Sequence, residues 1–139
     1  GGPRGAMAAS AALEKLEAAQ LRLGLADEAK LAKLLDAGLV NIIKYLGNDD
    51  PSVRAKTVQV LTHVSKRVKD EPAVPLPLAK LCDHFAGAGS PFEANFALIF
   101  AEFALARAKP EDRASAVPAL LRRLGARPAS QRAQLVHAL

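Results

Sequence analysis

The segment Leu46-Gly47-Asn48-Asp49-Asp50-Pro51-Ser52-Val53-Arg54-Ala55-Lys56 contains the clearest helix start in the chain. Asn48, Asp49 and Asp50 place capping side chains directly before a proline. Proline suits the first helical turn because its φ is preset and it has no N–H to leave unpaired. A helix is therefore predicted from Pro51. At 100° per residue, Val53, Thr57, Val60, Leu61, Val64 and Val68 fall within an arc of about 100°, the width of a core-facing stripe. Lys56, Gln59, His63 and Arg67 form a second row on the flank of that stripe. The run Asp70-Glu-Pro-Ala-Val-Pro-Leu-Pro77 then reads as a proline-rich connector.

Working outward, Leu31, Leu34, Leu35, Leu39, Ile42, Ile43 and Leu46 repeat at spacings of three and four, with Asp27 placed to cap them. Before them, Leu13, Leu16, Gln20 and Leu23 keep helical spacing up to Gly24. Residues 1–9 have no apolar periodicity and are expected to be a disordered leader, with the folded domain over 10–139. Downstream, a short helix runs from Leu78 to Phe85 and breaks at Ala86-Gly-Ala-Gly-Ser90. Pro91 opens the next, with Phe92, Phe96, Ile99, Phe100 and Phe103 assigned to one face. That places four of the five phenylalanines on one helix and predicts it as the centre of the core. Pro110 to Gly125 gives a further helix, with a kink or a fresh start expected at Pro118. Pro128 opens the last segment, and the stop at Leu139 within an apolar pattern reads as a fragment of a longer array.

Composition supports helices throughout. The 29 Ala and 21 Leu far outnumber 9 Val, 3 Ile and 2 Thr, so strong helix formers dominate the β-branched residues. No apolar run is long enough for a membrane span, so membrane insertion is not expected. A single cysteine rules out an intrachain disulfide and fits a reducing compartment, the cytoplasm or nucleus. The net charge of +5 first points to nucleic acid, but residues 1–102 hold 12 basic and 12 acidic side chains. The whole excess falls in 103–139, where Arg107, Lys109, Arg113, Arg122, Arg123, Arg127 and Arg132 face only Glu111 and Asp112.

The helices also repeat. Asp50-Pro51, Ser90-Pro91 and Arg127-Pro128 each open the second helix of a pair, and their prolines are 40 and then 37 residues apart. Pro77 and Pro118 introduce the first helices of the later pairs. A period near forty with two helices per unit is the signature of HEAT or armadillo arrays. The 46–56 segment resembles the turn and second-helix start of a HEAT repeat, which gives Arg54 the inter-repeat ladder position. The expected fold is all-α, a right-handed superhelical α-solenoid of HEAT-like pairs, with repeats at about 27–70, 77–107 and 111–139.

Three stretches carry a narrower resemblance over 13–139. They are Leu13-Glu-Lys-Leu-Glu with Leu21-Arg-Leu-Gly24, then Val60-Leu-Thr-His-Val-Ser-Lys-Arg-Val-Lys69 leading to Val74-Pro-Leu-Pro77, and Asn95-Phe-Ala-Leu-Ile-Phe100. In this order and spacing they resemble the N-terminal region of the proteasome adaptor and scaffold proteins, very large HEAT-repeat chains. The middle stretch is the most specific, because the HEAT pattern does not demand His63-x-x-Lys66-Arg67-x-Lys69. Ser65 stands where the resemblance expects Asn, and the Ala- and Arg-rich region after Phe103 fits less well.

The resemblance implies a non-catalytic scaffold that binds the 26S proteasome. Its partners would be the regulatory and core particles, which it tethers, together with the remaining HEAT repeats of its own parent chain. It would also link proteasomes to quality control or cellular compartments, in the cytoplasm and nucleus. Lys56, His63, Lys66, Arg67 and Lys69 are the candidate partner-binding residues, weighed against a solvated helix end where positive charge suits the macrodipole. Cys82 reads as a core thiol and His84 as exposed; adjacent helical residues diverge, so the two do not form a ligand pair. Asn95 and Glu102 flank the aromatic stripe, placed to hydrogen-bond an adjacent repeat. No catalytic, cofactor or metal residue is assigned, because no site with fillable roles is recognisable. Two rival readings are a basic nucleic-acid-binding repeat module and a HEAT-type trafficking adaptor unrelated to the proteasome. The nucleic-acid reading has few aromatics for base stacking, with one Tyr and no Trp.

Overall fold

The computed structural model describes residues 3–123, with side chains described over 8–118 and at 121. Among the described residues there are six α-helices, one 3-10 turn and no strand: α1 (Pro3–Leu25), α2 (Glu28–Lys44), the turn Tyr45–Gly47, α3 (Pro51–Asp70), α4 (Leu78–Gly87), α5 (Pro91–Arg107) and α6 (Pro110–Arg123). The fold is all-α, as the alanine and leucine content requires. Two compact units divide at Val74 and Pro75, inside the proline-rich connector.

In the first unit the local rules of the sequence hold closely. Asp27 caps α2 by accepting from the Lys30 N–H at 2.8 Å. Asp50 caps α3 by accepting from the Ser52 N–H at 2.8 Å and from the Ser52 hydroxyl at 2.5 Å. Asn48 Oδ1 accepts from the Asp50 N–H at 2.9 Å, so the Asn-Asp-Asp-Pro turn is held by its own side chains. The buried residues of α3 are Val53, Thr57, Val60, Leu61, Val64 and Val68, the same six that periodicity selects. Thr57 keeps its hydroxyl satisfied by donating to the Val53 carbonyl at 2.7 Å. On α2 the inward set is Leu31, Leu35, Leu39, Ile42 and Ile43, with Leu34 only half-buried. The α1 helix adds Leu16 and Leu23 and packs on α3.

The start of α1 corrects the expected leader. Helix begins at Pro3, within residues 1–9. Those residues lack an apolar stripe, but Pro3 suits a first turn and Ala6, Ala8 and Ala9 have the highest helix propensity.

In the second unit α4 packs on α5 and α6. Leu78, Leu81, Cys82 and Phe85 are buried on α4. The inward face of α5 differs from the expected aromatic one: Glu93, Ala94, Ala97, Leu98, Phe100, Ala101, Ala104 and Leu105 are buried. Phe92 is 62% exposed, and Phe96, Ile99 and Phe103 are half-buried. The reason is that α5 is apolar on every side, so spacing alone could not choose its inward face. Small residues let a second helix approach closely, and that favours the alanine row. Pro118 does not start a new helix, since α6 continues through it. Ala114, whose carbonyl loses its intrahelical partner, is exposed, which leaves water available there. The expected helix after Pro128 lies outside the described residues.

Two outcomes follow. Phe100→Ala should lower stability by about 3–5 kcal/mol, the usual loss for a buried phenylalanine. Phe92→Ala should stay within about 0.5 kcal/mol, as for an exposed position. Denaturant titration of the two variants separates them, and equal losses would restore the aromatic face as core. The hydrogen bonds from Ser52 hold the Asp50 carboxyl below its ordinary 3.8. Its contribution is therefore present above that value and lost as pH falls through the lowered folded value. Asp50→Asn keeps a capping oxygen without the titration, so thermal melts of variant and wild type should converge as the pH is taken well below 3.8.

Candidate functional site

The polar row on the flank of α3 meets α1. Lys56 Nζ donates to Gln20 Oε1 at 2.8 Å. One face further along, the half-buried His63 ring lies beside Gly24, where a Cβ would stand 3.9 Å from Cε1. Its Nδ1 is shut off from solvent and has no hydrogen-bond partner. Arg67 closes the row. Its Nη1 donates to the Leu23 carbonyl at 2.6 Å and the Ala26 carbonyl at 3.1 Å, while Nε and Nη2 grip the Glu71 carboxylate at 2.7–3.0 Å. The last carbonyls of a helix have no intrahelical partner and carry the negative end of its dipole. A guanidinium has enough fixed donors to satisfy them and a carboxylate together.

Of the five candidate partner-binding residues, Lys56, His63 and Arg67 thus line the seam between α1 and α3, while Lys66 and Lys69 are exposed. Periodicity found the row correctly, but it could not distinguish a face turned to solvent from one turned to another helix. The same device recurs at other helix ends. Arg54 donates to the carbonyls of Asn48 and Asp49 at 2.8 and 3.0 Å, so these bonds of the expected ladder residue go to its own turn. Arg113 of α6 donates to the Leu105 carbonyl of α5 at 3.0 Å. Arg107 lies over the Phe103 ring at 5.9 Å, and burial lowers its pKa. Two arginines of the basic C-terminal excess are therefore engaged in packing.

A second polar pair was not anticipated. His84 Nε2 lies 3.1 Å from Glu93 Oε2, and both side chains are about nine-tenths buried, so the expectation of an exposed His84 is corrected. The signal was Ser90-x-x-Glu93, a capping-box spacing. Ser90 Oγ does accept from the Glu93 N–H at 3.2 Å, but the glutamate carboxylate turns to α4. Burying it without a partner would be costly, which explains the histidine facing it. Cys82 is buried and its thiol is pushed up to about 11 by burial and by Asp83. Asn95 is exposed and Glu102 half-buried, with the Glu102 Oε1 inaccessible and without a hydrogen-bond partner.

Between α1 and α3 an open groove of about 570 Å³ is lined by Glu17, Gln20, Leu21, Gly24, Leu25 and His63. Among the described residues no three His, Cys, Asp or Glu side chains gather as metal ligands, and no helix is long and apolar enough to cross a membrane.

Arg67→Ala strips two carbonyls and a carboxylate of their donor, so it should cost about 1–3 kcal/mol. Lys66→Ala and Lys69→Ala, both exposed, should stay within about 0.5 kcal/mol. Thermal unfolding of the three variants distinguishes a clamp from a solvated basic run. Cys82 should resist a thiol-specific reagent at neutral pH in the folded chain and react once the chain is unfolded, a difference read directly by absorbance.

Comparison with known proteins then places the chain. The family described as "Proteasome component ECM29, N-terminal" matches residues 16–139. The match includes the region after Phe103 where the resemblance fits less well. The "Proteasome adapter and scaffold protein ECM29" of Homo sapiens is 31% identical over 139 residues, covering 96% of this chain and 8% of that protein. The "Proteasome-associated protein ECM29 homolog" of Drosophila melanogaster is 38% identical over 93 residues, 66% of this chain and 5% of its own length. The "Proteasome component ecm29" of Schizosaccharomyces pombe is 32% identical over 89 residues, 63% of this chain and 5% of its own length. The chain therefore spans less than a tenth of each of these relatives. No solved structure matches it significantly. With a family match that runs from Leu16 to Leu139, the chain belongs to the N-terminal family of the proteasome component ECM29.

Proposed function

We propose that the chain is a segment of a non-catalytic adaptor and scaffold that associates with the 26S proteasome. The observation that carries this reading is the family match over residues 16–139, supported by relatives named as proteasome adapter, scaffold or component. The finer reading is that the full-length protein tethers the regulatory particle to the core particle and links proteasomes to quality control or to cellular compartments. Its place of action is the cytoplasm and nucleus, reducing compartments that suit a single buried thiol.

The geometry supports work through surfaces. Packed helix pairs offer extended faces to large partners. The side chains with the strongest potential chemistry, Cys82, His84 and Glu93, are buried in the packing of α4 and α5. A thiol raised to about 11 is a poor nucleophile at neutral pH.

The full-length protein carrying this segment, affinity-tagged and recovered under conditions that preserve assembled proteasomes, should bring both particles with it. Recovery of neither would sink the adaptor reading. Depleting the protein should speed dissociation of regulatory from core particles when salt is raised, as read by native gel. An unchanged rate would remove the tethering role and leave simple association.

A further inference from the structure

We draw no further inference here: the strongest candidate, the buried side-chain pair of His84 and Glu93 between α4 and the first turn of α5, would act only through the proton equilibrium of His84, where burial and the facing carboxylate pull in opposite directions and no geometry among the described residues decides between them.

Discussion

A helix that ends inside a packed unit must find donors for carbonyls that no later turn will satisfy. Arg67 meets that constraint in the first unit, with one guanidinium shared among Leu23, Ala26 and Glu71. Without it, α1 would present unsatisfied acceptors where it packs on α3, and the turn into α2 would lose its anchor. The bond of Lys56 to Gln20 and the place of His63 beside Gly24 lie along the same seam, which the buried Leu16 and Leu23 of α1 also hold. Charge in this chain is thus partly structural material. Arg54 and Arg113 extend the same solution to other helix ends.

The two units solve burial differently. In the first, branched and leucine side chains from three helices fill the interior, with the buried Thr57 hydroxyl paired locally. In the second, α5 turns alanines toward its neighbours and leaves much of its aromatic surface partly open. The buried His84 and Glu93 then form a polar pair between α4 and the first turn of α5.

The sequence disclosed the fold where apolar and polar residues alternate cleanly. Every buried position of α3 follows from a 100° rotation per residue, and both aspartate caps follow from their place before a helix. It failed on α5, where apolar residues surround the helix and only the neighbour decides what faces inward. It failed at the N-terminus because alanine supports helix without making a stripe. For the candidate site, the polar row on α3 was legible, but its orientation was not, since Lys56, His63 and Arg67 answer to atoms more than thirty residues away. The His84 and Glu93 pair is likewise a matter of two helices meeting. The capping-box spacing was visible, although the direction taken by the glutamate was not.

The alanine face of α5 has a consequence for how this unit tolerates change. Ala94, Ala97, Ala101 and Ala104 lose almost no rotamer freedom when buried, so ordering that face costs little entropy. The same economy leaves no slack. A substitution at a buried leucine or phenylalanine acts mainly by removing volume; along this row it acts by adding it, and even one extra methylene must be accommodated by neighbouring atoms. Drift in this helix is therefore freest at the exposed Phe92 and most restricted along the buried alanines and at Phe100.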